Sequence, residues 1–186
     1  MLSTVNLVKK YWAEIPLLLK RFCIKVFLFL VIWLLSYHLY LKPHRTVDKP
    51  LTTITTATTV AFVSLFYENQ ELSWKDATDD SAANIFLDGK LALGIADGCN
   101  ALELFILYAS FIFCMPTNFK RAAFFIIGGI IVIFILNILR CSGMLWMSLH
   151  KKEWFDFAHH YAFKLIVYAA IFGGWVWYCR KINTND

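Results

Sequence analysis

The stretch IADGCNALELFILY, residues 95–108, marks the point at which a polar part of the chain changes into an apolar one. Asp97 and Gly98 are typical turn residues, and Cys99 follows them directly. The apolar run behind the cysteine contains one carboxylate, Glu103, which lies four residues further on and therefore on the same helical face as Cys99. The stretch predicts a helix that begins at a thiol and carries an ionisable side chain one turn inside it.

The composition of the whole chain indicates a membrane protein. Of the 186 residues, 59% are hydrophobic and 17% aromatic, and the mean hydropathy is +0.58. Soluble domains contain about 45–50% apolar residues. The net charge of +5 then concerns topology, because basic residues collect on the cytoplasmic side of a membrane, and no nucleic-acid partner is expected. The length fits one domain, and residues 1–20 do not resemble a cleavable signal sequence.

Four apolar segments have about the 17–25 residues that a helix needs to cross the bilayer. They are residues 24–41, 99–115, 122–139 and 161–179. A fifth segment, 52–67, is rich in threonine, and the stretch 68–90 after it is too polar to cross. The sequence predicts an all-α polytopic membrane protein with four transmembrane helices, or five if 52–67 also spans. Two glycine pairs, Gly128–Gly129 and Gly173–Gly174, are expected to let helices approach closely.

The charges between the segments favour four spans. With the N-terminus inside, the flanking basic residues are all cytoplasmic and the acidic stretch lies outside, as the positive-inside rule requires. These basic residues are Lys9, Lys10, Lys20, Arg21, Lys25, Lys120, Arg121, Arg180 and Lys181. The segment 52–67 is then re-entrant or lies on the outer surface. We expect one membrane domain, with a cytoplasmic segment 1–23, an outer-face polar region 43–97 and a catalytic helical core 98–179.

The hairpin formed by the second and third segments brings distant residues to one membrane face. Its turn at 116–121 is short, so Cys99 at its start and Arg140 at its end share a face, and the last segment begins there after His159 and His160. A cation stabilises a thiolate, and a histidine can take the thiol proton and pass it to a leaving group. Arginine cannot serve as a base, but it can bind an oxyanion. This convergence favours a nucleophilic site.

Each of these residues also has a structural interpretation. Interfacial cysteines are usually inert, and arginine and histidine side chains often reach the membrane surface. Glu103 can orient a histidine, pair with Arg140 or only hydrogen-bond to a neighbouring helix. Asn137 is expected to bond between helices, and Lys164 is expected to extend outward to the membrane surface.

In order, spacing and placement, Cys99 in DGCNAL, Arg140 in NILR and a histidine opening the last helix resemble the exosortase/archaeosortase family. The resemblance covers about residues 93–178 and is closest to the compact exosortases of Bacteroidetes. It implies a membrane cysteine protease or transpeptidase of the bacterial inner membrane, with its active site facing outward. Exported substrates of the family carry a C-terminal motif, a transmembrane helix and a basic cluster. Cys99 would form a thioester, Arg140 would stabilise negative charge, and His159 would shuttle the proton.

The chain departs from the family pattern after the nucleophile. The family has Ser-Gly there, whereas this chain has Asn100 and Ala101, and a Cys-Ser-Gly tripeptide instead follows Arg140 at Cys141. Cys99 remains the expected nucleophile, because no arginine in an Asn-x-x-Arg context follows Cys141.

Other assignments stay open at this point. His160 is the alternative to His159, with Glu103 and Asn137 as supporting residues. The acceptor implied by the resemblance is a glycan or a lipid with an amine or hydroxyl, and membrane lipids surround the protein. No cofactor or metal is expected: Cys99, Cys141 and the two histidines are zinc-ligand types, but no short-spaced ligand pair is present. A non-catalytic membrane assembly or binding subunit is the alternative function.

Overall fold

Helix α1 is the first element of the computed structural model, which describes residues 16–67, 70–77, 82–115 and 118–183. It runs from Leu17 to Ser36 and continues through a π-helical turn, Tyr37–Leu41, into a last helical turn, Lys42–His44. Most of the segment expected to be cytoplasmic, with Lys9 and Lys10, lies outside the described residues.

The other elements follow in a simple order along the chain. They are helix α2 (Asp48–Ser64), strands β1 (Leu72–Asp76), β2 (Ala82–Leu87) and β3 (Lys90–Ala96), a 3₁₀ turn (Asp97–Cys99), helices α3 (Leu102–Cys114), α4 (Phe119–His150) and α5 (Lys152–Phe157), a second π-helical turn (Ala158–Ala162) and helix α6 (Phe163–Asn183).

Two helices in the described part of the chain are long and apolar enough to cross a bilayer. They are α4 and the continuous helix Lys152–Lys181, which combines α5, the second π turn and most of α6. They contain the expected spans 122–139 and 161–179. The expected spans 24–41 and 99–115 lie on α1 and α3, and α3, with 13 residues, rises only about 20 Å. Two of the four predicted spans therefore have the length and composition of membrane helices, and the other two are not established.

The expectation of an all-α protein is wrong for the polar stretch after α2. Strands β1, β2 and β3 form an antiparallel sheet in that order. Asp88 and Gly89, both with positive φ, form the two-residue turn of the hairpin that joins β2 to β3. Ala83 and Ile85 of β2 alternate with more exposed neighbours and are buried with Ile95 of β3. An Asp-Gly pair between alternating apolar residues is a strong hairpin signal, which the polar character of the stretch obscures.

The threonine-rich segment 52–67 lies mostly on α2, which packs against α4 and the sheet. Its buried face has helical spacing and consists of Thr52, Thr55, Thr56, Thr59 and Val63. Threonine suits this position, since a hydroxyl can bond back to the carbonyl of the preceding turn, as Thr56 does to Thr52 at 2.8 Å.

Two hydrophobic cores meet near the turn that precedes α3. One joins α3, α4 and α6 and includes Phe105, Tyr108 and Ile171, while the other joins α2, the sheet and the second half of α4. Ala101 belongs to the first core and Cys99 packs against the second. The cysteine therefore lies where the membrane helices meet the sheet-bearing part of the molecule.

The glycine pairs accommodate one aromatic ring. A Cβ atom at Gly129 would overlap the ring of Tyr108 from α3, and a Cβ at Gly174 would lie 3.0 Å from it. A Cβ atom at Gly128 or Gly173 would meet nothing within 4 Å. Close approach is thus needed at one glycine of each pair.

Candidate active site

Cys99 ends the 3₁₀ turn that connects β3 to α3. The backbone N–H of Asn100 donates to the carbonyl of Asp97 at 3.3 Å, and Ala101 then adopts a left-handed conformation with φ of 67°. The Asn100 side chain accepts a 2.9 Å hydrogen bond from the N–H of Leu102 and so caps the start of α3. These bonds fix the backbone on the α3 side of the thiol.

Helix α4 holds the same cysteine from the other side. Arg140 Nη2 donates to the Cys99 sulfur at 3.7 Å, and Asn137 Nδ2 donates to the Cys99 carbonyl at 2.9 Å. The two side chains are three residues apart and therefore share one face of the helix. Asn137 is fully buried, and its expected bond between helices reaches instead the turn before α3.

Residues at the start of α2 and in the turn before it bind Asp97, which lies two residues before the thiol. The sequence does not predict this contact. Arg45 binds the Asp97 carboxylate through two bonds, Nε–Oδ2 at 2.7 Å and Nη2–Oδ1 at 2.8 Å. The Thr52 hydroxyl donates to Asp97 Oδ1 at 2.7 Å. A two-pronged arginine–carboxylate pair fixes geometry as well as charge.

A second clamp acts on the residue after the thiol. The buried Asn100 amide donates to Asp48 Oδ1 at 3.0 Å and lies 3.3 Å from the Thr52 hydroxyl. The chain on both sides of Cys99 is thus tied to the start of α2. The sequence signal for this arrangement is the concentration of polar side chains before and within 52–67.

His159 shares a small cavity with the cysteine. The cavity, of about 60 Å³, is lined by Cys99, Arg140 and His159 together with residues of β3, α4 and α5. The half-buried His159 ring lies parallel to that of Phe155, with centroids 6.1 Å apart. We call this space the thiol cavity.

His160 lies outside the thiol cavity. It is exposed, and its Nδ1 is 3.0 Å from the carbonyl oxygen of Asp156. Both histidines belong to the second π-helical turn, and such turns often occur at functional sites. The structure therefore brings His159, rather than His160, into the space shared with Cys99.

Glu103 is exposed and lines a different and larger cavity of about 270 Å³, which Arg140 also borders. Within the described residues Glu103 makes no hydrogen bond or ion pair with Arg140. Cys141, the alternative nucleophile, also borders the thiol cavity, but it is only 4% exposed and belongs to the core formed with Val63 and Leu145. Among the residues that the structure describes, no group of three or more His, Cys, Asp or Glu side chains is placed to hold a metal.

This arrangement has the parts of a cysteine nucleophile site: a partly accessible thiol, a cation on the sulfur and a histidine in the same cavity. No curated protein and no solved structure matches the chain. The family model of the transmembrane exosortases matches residues 13–177, which include every residue of the site. The chain therefore belongs to the transmembrane exosortase family.

Proposed function

We propose that this protein is a membrane cysteine transpeptidase or peptidase that removes C-terminal sorting signals from exported proteins. The exosortases are a family of cysteine proteases and transpeptidases. The observation that carries the proposal is the contact of Arg140 with the Cys99 sulfur, at 3.7 Å, beside the cavity that His159 lines.

The residues suit the two halves of such a reaction. The Cys99 sulfur attacks the carbonyl carbon of the scissile peptide bond as His159 takes the thiol proton, and Arg140 stabilises the oxyanion that forms. His159 then gives its proton to the leaving amine, so that the C–N bond breaks and a thioester remains. An amine, a hydroxyl or water attacks the thioester, and the thiol is restored.

The family and the position of the thiol support the proposed substrate class. A thiol at the end of an apolar helix can reach a peptide bond next to a substrate's own transmembrane helix. Helix α4 begins with Lys120 and Arg121, far along the helix from Arg140. Helix α6 ends near Arg180 and Lys181, far along the chain's last helix from His159. The positive-inside rule then favours an active site on the outer face of the inner membrane.

The test compares the C-terminal peptides of host-cell proteins by mass spectrometry in strains with the native enzyme or with Cys99→Ala. Proteins ending in an apolar helix and a basic tail should lose that tail in the first strain and keep it in the second. Cys141→Ala is the matched control and should leave cleavage intact, because the Cys141 side chain borders the thiol cavity but is only 4% exposed and packs in a core.

The histidines supply a second comparison in the same assay. His159→Ala should abolish cleavage, while His160→Ala should retain most of it, since His160 does not line the thiol cavity. Unchanged processing in both Cys99→Ala and His159→Ala would contradict the proposal and support a non-catalytic assembly subunit.

A further inference from the structure

One further cavity adjoins the thiol cavity, and a second adjoins the first. The polar cavity, of about 270 Å³, lies at the starts of α2, α3 and α6 and includes Asp48, Glu103, Arg140 and Lys164 in its lining. The membrane groove, of about 280 Å³, lies between α1, α3 and α6, and its lining is mostly apolar. Its walls include Leu30 and Leu34 of α1, Leu107 of α3 and Tyr168 of α6.

The shape of the membrane groove comes from the packing of three helices. Both α1 and α6 contact α3, so α3 forms the floor and the other two helices form the walls. Along α1 the groove extends from Leu30 to about Tyr37, a rise of about 10 Å. Apolar surface alone has no special meaning on a membrane helix, because lipid covers such surface everywhere.

What distinguishes this groove is its continuity with the active site. The membrane groove and the polar cavity are both lined by Tyr37, Glu103, Leu104 and Tyr168. Arg140 in turn lines both the polar cavity and the thiol cavity. The three spaces therefore follow one another from the membrane groove to the Cys99 sulfur, and each is separated from the next by side chains that line both.

The glycine-lined cavity between α4 and α6 lacks this connection. It is larger, about 410 Å³, and is lined by Gly128, Gly173 and neighbouring apolar residues. It shares no lining residue with the polar cavity or the thiol cavity. Size alone would favour this cavity as a docking site, but it does not lead to the thiol.

We infer that the membrane groove receives the transmembrane helix of the substrate, and that the polar cavity receives the short chain segment between that helix and the cut bond. This inference rests on the proposed function. An apolar helix lying on α3 would complete a bundle with α1 and α6. Its end would face the polar cavity, where backbone groups that have left the helix need hydrogen-bond partners.

Glu103 and Lys164 suit the task of binding such a segment. Glu103 stands where the membrane groove joins the polar cavity, and its carboxylate can accept from backbone N–H groups of the incoming chain. The Lys164 ammonium, at the start of α6, lines the same cavity and can donate to carbonyl oxygens. Arg140 then lies at the inner end of the segment, beside the sulfur that attacks.

A pair of substitutions on α1 tests the groove. Leu34 lines it and Leu35 does not, yet both are similarly exposed, at 51% and 56%. Leu34→Trp should slow tail removal at least tenfold by filling the groove, while Leu35→Trp should leave it unchanged. Alkylation of Cys99 should proceed equally in both variants, which shows that the site is intact.

Photocrosslinking identifies the occupant. Benzoylphenylalanine replaces Leu34 in the Cys99→Ala enzyme, and the probe is the tagged protein that accumulates uncut in Cys99→Ala cells. An adduct of that protein at Leu34, and little at Leu35, is expected. Two results would show that the membrane groove is not the docking site: an adduct of lipid alone at Leu34, or normal processing by Leu34→Trp in cells where Cys99→Ala blocks it. Either result would leave the proposed function standing.

Discussion

Arg140 donates to the Cys99 sulfur from the same face of α4 on which Asn137 binds the Cys99 carbonyl. One helix therefore fixes the position of the cysteine backbone and places a cation on its side chain. Because the two residues are three apart, a change in helix register would separate both groups from the cysteine at once. The Asn-x-x-Arg spacing is explained by Cys99, because both side chains bind this one residue.

Arg140→Ala should slow the alkylation of Cys99 by iodoacetamide at neutral pH about tenfold, because the cation that stabilises the thiolate is lost. Arg140→Lys should recover part of the rate, since lysine supplies charge without the planar donor group. The measurement is labelling at Cys99 followed by mass spectrometry. Equal rates in the native and Arg140→Ala proteins would show that the contact does not activate the thiol.

Ala101 has the backbone conformation that favours glycine, with φ of 67°. A left-handed conformation costs a residue with a Cβ about 1 kcal/mol or more. Ala101→Gly should therefore raise the thermal midpoint of the detergent-solubilised protein and leave cleavage intact. Ala109→Gly, in the middle of α3, is the control. It should lower the free energy of unfolding by about 1 kcal/mol and so lower the midpoint. A shift of the midpoint in the same direction for both variants would contradict this account of strain.

Among the elements, α3 depends on glycines in two other helices. The Tyr108 ring lies against Gly129 of α4 and Gly174 of α6, and the Tyr108 hydroxyl donates to the Phe125 carbonyl at 3.2 Å. The three helices therefore meet at this ring. The sequence predicts close packing at both glycine pairs, but it cannot tell which glycine of each pair contacts a neighbour.

Gly129→Ala should destabilise the protein by about 1–3 kcal/mol, because the added methyl group overlaps the Tyr108 ring. Gly128→Ala meets nothing within 4 Å and should leave stability unchanged or raise it, since alanine favours the helix. Thermal unfolding in detergent compares the two variants. Similar midpoints for both would mean that the ring moves freely out of the way.

The sequence predicts best what a short turn enforces. A tight hairpin must return α4 to the face where α3 begins, so the grouping of Cys99 with Arg140 follows from the segments alone. The bonds from Arg45 to Asp97 and from Asn100 to Asp48 are not predictable in this way. They join positions 52 residues apart, and the sheet that lies between these positions in the chain is not predicted from the sequence. The choice between His159 and His160 depends on a π-helical turn, which shifts the helical register that simple spacing assumes.

At the scale of the whole molecule, the two ends of α4 carry different charges and neighbours. Its first turn contains Lys120 and Arg121, and its last turns pack against β3 and α2. The proposed orientation places the first end in the cytoplasm and the sheet outside.

Cysteine labelling tests this orientation. In a variant without the five native cysteines, Lys90→Cys in the sheet should react with a membrane-impermeant maleimide in spheroplasts. Lys120→Cys should react only after lysis, since it lies at the opposite end of α4. Both positions are exposed, so access to the reagent differs only through the membrane. The reverse pattern would place the site in the cytoplasm.

Helix α4 is longer than a bilayer requires, and its length determines the depth of the proposed active site. From Phe119 to Arg140 it rises about 32 Å, which matches a hydrocarbon layer of about 30 Å, and the rest of the helix extends about 15 Å further. In the proposed orientation, with the first turn of α4 at the cytoplasmic boundary, Arg140 lies at the outer boundary of the hydrocarbon layer. We expect the position of the cut bond relative to the membrane to matter. Inserting a few residues between the motif and the substrate's transmembrane helix should carry the bond out of reach and stop tail removal, which mass spectrometry of the C-terminal peptides would show.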